Sequence, residues 1–112
     1  MKRDFKLFLE DIIYSINKIE KYTKGITIEK FKTDDKTADA VIRNLEIIGE
    51  AAKNIPNQIR IKYPELPWKE MSGLRNILIH EYFGVDLSVV HKTIKEFLPD
   101  LKKNILEIIK EN

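Results

Sequence analysis

The stretch AVIRNLEIIGEAAKNI, residues 40–55, decides how this chain folds. Val41, Leu45, Ile48, Ala52 and Ile55 recur every three or four residues, which stacks them on one face of an α-helix. Ile42 and Gly49 lie beside that face. The pattern predicts a helix from about Lys36 to Asn54, capped by Asp34 or Asp35. Gly49 lowers helix propensity by about 1 kcal/mol relative to Ala. A glycine kept against that penalty suits a place where another backbone approaches closely.

The same period continues on both sides. Toward the amino end, Phe5, Leu9, Ile12, Ile16 and Ile19 are spaced 4-3-4-3, giving a helix over residues 4–23 with a coiled-coil-like seam. Phe8 and Ile13 widen it, and Gly25 sits where a C-terminal cap belongs. Residues 26–37 read as a connection with at most one short turn. Toward the carboxyl end, Pro56, Pro64 and Pro67 punctuate a stretch with room for one short helix, Gln58–Tyr63. A third long helix is expected from Trp68 or Met71 through Tyr82, ended by Gly84, with Asp86 or Ser88 starting the next. Val90, Ile94, Leu98, Leu101, Ile105 and Ile108 complete the pattern. Pro99 inside that run predicts a kink or break near Phe97–Leu98. No hairpin dipeptide and no alternating run competes. The expected fold is all-α, an antiparallel bundle of four or five helices forming a single domain over residues 1–112.

Composition narrows the function classes. Of 112 residues, 43% are hydrophobic and 34% charged, a globular rather than disordered balance. The net charge of +2 permits a local basic patch without arguing for nucleic acid by itself. Arginine is scarce, at positions 3, 43, 60 and 75, so each guanidinium merits inspection as a phosphate ligand. The absence of cysteine excludes disulfides and thiolate metal sites and suits a reducing compartment. No apolar run approaches the roughly 20 residues that span a bilayer. The first residues, basic and then acidic, do not resemble a secretory leader, so a cytoplasmic location is expected.

RNILIHEY, residues 75–82, is where chemistry concentrates. Ile77, Leu78 and Ile79 read as packing, yet Arg75, Asn76, His80, Glu81 and Tyr82 crowd the same two turns. At about 100° per residue, Arg75 nearly eclipses Tyr82, and Asn76 shares a face with His80. Arg75 and His80 diverge by about 140°. One ideal helix does not aim both at one point: either the helix ends or bends near His80, or a second chain completes the site. An ordinary amphipathic helix with a few polar positions explains the same spacing. A metal site is disfavoured, because His80 and His91 are the only histidines and no carboxylate cluster accompanies them. A nucleophilic triad is weak with Ser72 eight residues away, and there is no glycine-rich phosphate loop.

Arg75 through Tyr82 fits R-x4-H-x-Y and resembles the signature of HEPN domains. The segment Ala40–Lys53 resembles the IGEA helix of HepT-type toxins, and Pro64–Val90 resembles the block that carries their R-N-x-x-x-H-x-Y motif. The likeness covers nearly the whole chain, with no departure at the motif positions. It implies a helical-bundle toxin of a two-gene toxin–antitoxin module: a metal-independent ribonuclease, usually a homodimer, with both motifs facing one cleft. Its substrate is then RNA and its partner a minimal nucleotidyltransferase antitoxin, which transfers AMP to the motif tyrosine, here Tyr82. No cofactor is implied.

Those residue types suit cleavage by the ribose 2′-hydroxyl. His80 titrates near neutrality and can act as base or acid, but not as both at once. Arg75 can hold the phosphate and stabilise its growing charge. Two motifs across a dimer would supply both proton-transfer groups. Asn76 can orient His80 or bind phosphate, or be a surface amide; Tyr82 can touch phosphate at the cleft mouth as well as accept AMP, or simply pack. Glu50 can pair with Arg75 or His80, or be exposed. Arg43 can pair with Asp39 or bind phosphate. Trp68 reads as an anchor, His91 as structural or exposed, and Lys102, Lys103 and Lys110 as a solvated face. The competing reading is a HEPN-type nucleotide- or antitoxin-binding module with little nuclease activity. A third is a helical dimerisation domain with a vestigial motif.

Overall fold

The structure, a computed structural model, describes residues 4–80 and 85–112, with side chains for all of these except residues 76–80. Among the described residues there are seven helices and no strand: α1 (Phe5–Thr23), α2 (Ile28–Thr33), α3 (Asp35–Lys53), α4 (Asn57–Lys62), α5 (Trp68–His80), α6 (Leu87–Glu96) and α7 (Leu98–Glu111). The all-α bundle is as expected. The count rises above five because two pieces are only six residues long and the final segment is divided.

Polar caps set most of the helix starts. The side chains of Asp4, Thr27, Asp34 and Asp86 accept from the backbone N–H of Lys6, Lys30, Thr37 and Ser88, supplying acceptors to donors that lack a partner within the helix. Asp34 also accepts from the Thr37 hydroxyl at 2.8 Å. These hydrogen bonds from Thr37 hold its carboxyl below the usual carboxylate range. Gly25 follows α1 with φ +72°, a left-handed turn that glycine takes without a Cβ clash. The break near Phe97 is present: α6 ends at Glu96, α7 begins at Leu98, and Pro99 sits in the first turn of α7, where its missing N–H matters least.

At the centre of the bundle, α3 packs on one side against α1 and on the other against α5. Its wide apolar stripe explains this position: Ala38, Val41, Ile42, Leu45, Ile48 and Ala52 are all buried. Facing them, α1 contributes Leu9, Ile12, Ile16 and Ile19, and α5 contributes Met71, all with no exposed surface. The helices run antiparallel. Near its start α1 meets the last turns of α3, where Phe8 and Asp11 share a groove with Glu50 and Asn54. Likewise Arg75 of α5 reaches back to Glu50 of α3. The face of α7 built from Leu98, Leu101, Ile105 and Ile108 is buried, and Lys102 bridges to Glu20 of α1 at 3.1 Å. Lys102 is therefore a cross-helix tie rather than part of a solvated face.

The connection over 26–37 carries more structure than its sequence promised. Phe31 on α2 is fully buried and packs its ring 5.8 Å from that of His91 on α6. Ile28, Phe31 and the Thr27 cap form a signal too short to stand out, since a six-residue helix shows barely one period. Phe31→Ala is expected to destabilise the protein by about 3–5 kcal/mol, as aromatic truncations in packed cores do. Urea unfolding checks this; a loss under 1 kcal/mol would show that α2 is only peripheral.

Candidate functional site

The site begins at a contact between two backbones. A Cβ added to Gly49 would lie 2.6 Å from the Arg75 backbone nitrogen and 3.0 Å from both the Arg75 Cβ and the Met71 carbonyl oxygen. Helix α5 thus crosses α3 at the one residue that lets it come so close, the role its sequence position suggested. Beside this crossing stands Glu50, next in the chain, and its carboxylate forms an ion pair with the Arg75 Nε. Both side chains are partly exposed, at 36% for Arg75 and 51% for Glu50. A pair so wet adds only about 0–1 kcal/mol. Its consequence is orientation: it points a guanidinium along the surface.

Arg75 and Glu50 belong to an open groove of about 370 Å³ between α1, α3 and α5. Arg43 and Glu46 line it too, joined by a 3.6 Å ion pair three residues apart. Asp11 and Phe8 form the α1 wall, and Asn54 the far end. Three of the six residues singled out in the sequence, Arg43, Glu50 and Arg75, therefore meet in one place. Glu50 takes Arg75, one of the two partners expected for it. Arg43 meets Glu46, a partner its sequence setting had not suggested. The groove sets two guanidiniums among three carboxylates, so it is not a strongly positive surface.

The other three residues are not placed by side chain. Position 80 is in α5, whose backbone is helical from Trp68 through His80, but the side chains of Asn76 and His80 lie outside the described residues. Tyr82 and the expected helix end at Gly84 lie outside them as well. The helical backbone still carries information. With no break between positions 75 and 80, the divergence of about 140° stands. Arg75 faces the α3 groove, and position 80 belongs to the opposite side of the helix.

Sequence reasoning did not find Asp11, Phe8 and Glu46 as groove residues, since they became neighbours of Arg75 only when α1 and α3 packed. It also missed Arg60. The Arg60 Nε donates to the Ile55 carbonyl at 3.1 Å, and Nη2 to the carbonyls of Ala52 and Lys53 at 3.0 and 2.8 Å. The Ala52 and Lys53 carbonyls lie in the last turn of α3 and that of Ile55 just beyond it, and a cation there complements the helix dipole. Trp68 is the anchor its setting suggested: it is 7% exposed and donates from Nε1 to the Tyr63 carbonyl at 2.8 Å. Among the described residues no group of three or more His, Cys, Asp or Glu could hold a metal ion. None of the described helices is long and apolar enough to cross a membrane.

An all-α bundle that seats an arginine of R-x4-H against the glycine of an IGEA helix defines a class, and sequence comparison agrees with it. The chain belongs to the HepT-like ribonuclease family, whose profile matches residues 12–108. It is 56% identical over 102 residues to a probable ribonuclease HepT of Thermococcus cleftensis, covering 91% of this chain and 93% of the relative. A candidate RNase of Methanocaldococcus jannaschii is 51% identical over 104 residues, covering 93% of this chain and 95% of that protein. Another protein of the same organism, named as a γ-glutamylcyclotransferase and candidate RNase, is 49% identical over 111 residues; these span 99% of this chain and 50% of the relative. No solved structure gives a significant match.

Proposed function

We propose that the chain is a metal-independent endoribonuclease, the toxin of a toxin–antitoxin pair, acting as a homodimer whose two motifs share one cleft. In this reading the ribose 2′-oxygen attacks the adjacent phosphorus while His80 of one chain takes its proton. The P–O5′ bond breaks, and the departing 5′-oxygen receives a proton from the second His80. The products are a 2′,3′-cyclic phosphate and a free 5′-hydroxyl. Arg75 stabilises the charge on the phosphorane, Asn76 orients the imidazole or the phosphate, and Glu50 holds Arg75 in place. Arg43 supplies a further cation along the groove. No metal or cofactor enters the scheme, and a cytoplasmic location is part of the proposal.

The carrying observation is the helical backbone from Arg75 to His80, with Arg75 turned into the α3 groove. An arginine and a histidine on opposite sides of one helix serve one phosphate most simply when the second chain brings its own pair. Neutralisation follows from the resemblance: a minimal nucleotidyltransferase transfers AMP to Tyr82, adding bulk and negative charge at the cleft. The second reading, a nucleotide- or antitoxin-binding module with little nuclease activity, is favoured by the charge balance of the groove, where carboxylates engage both arginines.

Cleavage of RNA in the presence of EDTA, scored for cyclic phosphate ends, separates the two. Wild type is expected to cleave, and His80→Ala to lose about 10²–10⁴-fold, the usual contribution of a positioned acid or base. Mixed dimers of wild-type and His80→Ala chains are expected to fall well below half activity. Full activity per mixed dimer refutes the two-histidine cleft, and unchanged cleavage by His80→Ala refutes the catalytic assignment.

A further inference from the structure

A second pocket, of about 510 Å³, opens where the end of α3, α4 and the first turns of α5 meet. Among the described residues, Lys53, Arg60, Trp68, Lys69, Ser72 and Gly73 line it: three cations and no carboxylate. Lys53 and Lys69 are exposed. The Arg60 guanidinium caps the end of α3 and brings a third cationic side chain to the pocket. The contrast with the Arg75 groove is one of sign. There, carboxylates offset the arginines; here no described residue of the lining does.

Gly73 gives the pocket its shape. It lies inside α5, where glycine is unfavourable, yet a Cβ built on it would meet nothing within 4 Å. Packing within this chain therefore does not call for a glycine, whereas Gly49 is required by the α5 backbone. The Ser72 hydroxyl oxygen, also in the lining, is shielded and has no hydrogen-bond partner among the described residues. A bare stretch of helix ringed by cations admits a large anion close to the backbone.

Register connects this pocket to the motif. Positions 69, 73, 76 and 80 recur at spacings of four, three and four along α5, so they share a face, and Gly73 precedes His80 by about 10 Å at 1.5 Å per residue. We propose that the pocket of Lys53, Arg60 and Lys69 around Gly73 is a subsite for backbone phosphates of the RNA strand, on the face of α5 that leads to His80. This rests on the reading of the protein as a ribonuclease. A ribonuclease needs cations that engage phosphates without bias toward sequence. The charge-balanced groove at Arg75 supplies little net attraction, and this pocket supplies it instead.

The probe is a short fluorescein-labelled single-stranded 2′-O-methyl RNA, which keeps every phosphate but cannot undergo 2′-hydroxyl attack. Arg60 is left intact because it caps α3. Fluorescence anisotropy is expected to show Lys53→Ala/Lys69→Ala binding about 10-fold more weakly, with a salt slope shallower by roughly 1.4, at about 0.7 per phosphate contact on a single strand. Gly73→Glu, which fits the open space, should fold normally by circular dichroism and weaken binding further. Lys103→Ala/Lys110→Ala removes the same charge from exposed positions on α7 and should leave affinity within two-fold.

Unchanged affinity and slope in the Lys53/Lys69 variant, with wild type cleaving ordinary RNA, overturns the subsite and leaves the ribonuclease reading standing. An equal drop in the α7 control also overturns it, by reducing the effect to net charge. A change in oligomeric mass without loss of RNA affinity assigns the pocket to a second copy and overturns it too. Specific loss of binding in a protein that does not cleave RNA supports the subsite while refuting the ribonuclease reading. A wild type that binds no RNA overturns both.

Discussion

Arg75→Lys is expected to slow RNA cleavage by about 10²–10³-fold, the scale of losing one preorganised donor to a transition-state oxyanion, while the thermal midpoint stays within about 4 °C, roughly what a change under 1 kcal/mol produces. The substitution keeps the charge, so the effect isolates shape. In the structure Glu50 engages Arg75 through Nε, the donor nearest the chain, and the two Nη groups form the end that can grip a pair of phosphate oxygens. A lysine would either stay on Glu50 or reach for phosphate, having one nitrogen for both tasks. Stability should barely respond, because the ion pair is partly exposed and such pairs are worth about 0–1 kcal/mol. Single-turnover cleavage in EDTA checks the rate; a lysine variant at the wild-type rate removes Arg75 from the chemistry.

The largest stability contrast lies in two alanine substitutions whose sequence contexts look alike. Gly49→Ala should lower stability by up to about 2 kcal/mol: overpacking of roughly 1–3 kcal/mol is set against the helix propensity gained, about 1 kcal/mol. The atoms a Cβ would strike are the Arg75 nitrogen, the Arg75 Cβ and the Met71 carbonyl. None of these can rotate aside, so α5 must move off α3 and carry Arg75 away from Glu50. Cleavage should fall along with stability. Gly73→Ala meets no atom and gains that propensity, raising stability by about 1 kcal/mol. The two thermal midpoints should move in opposite directions, by roughly 4 °C or more per kcal/mol. Alanine variants that melt alike would mean the close crossing is not a constraint.

That contrast also shows what was legible beforehand. The residues marking α1, α3 and the α6–α7 break could be read directly, because periodicity and Pro99 act within one helix. Gly49 was readable as a close approach, but Arg75 as the group approaching it was not, since the pairing depends on how α3 and α5 cross. The Arg75–Glu50 pair was one of several open options for the same reason. Phe31 was missed because six residues show too little period, and Arg60 because its partners are carbonyls, which a sequence does not display. The cation cluster around Gly73 joins residues from three helices and emerges only on packing.

Helix α5 therefore divides its duties by register. Its residues toward α3, such as Met71 and Arg75, are bound by a backbone contact that tolerates no added atom. Its residues at 69 and 73 face open space. A lineage can change the second set, and with it which anions are held and how tightly, without disturbing the first. Divergence in preference is thus cheap on one side of a single helix, and loss of the fold is confined to the other.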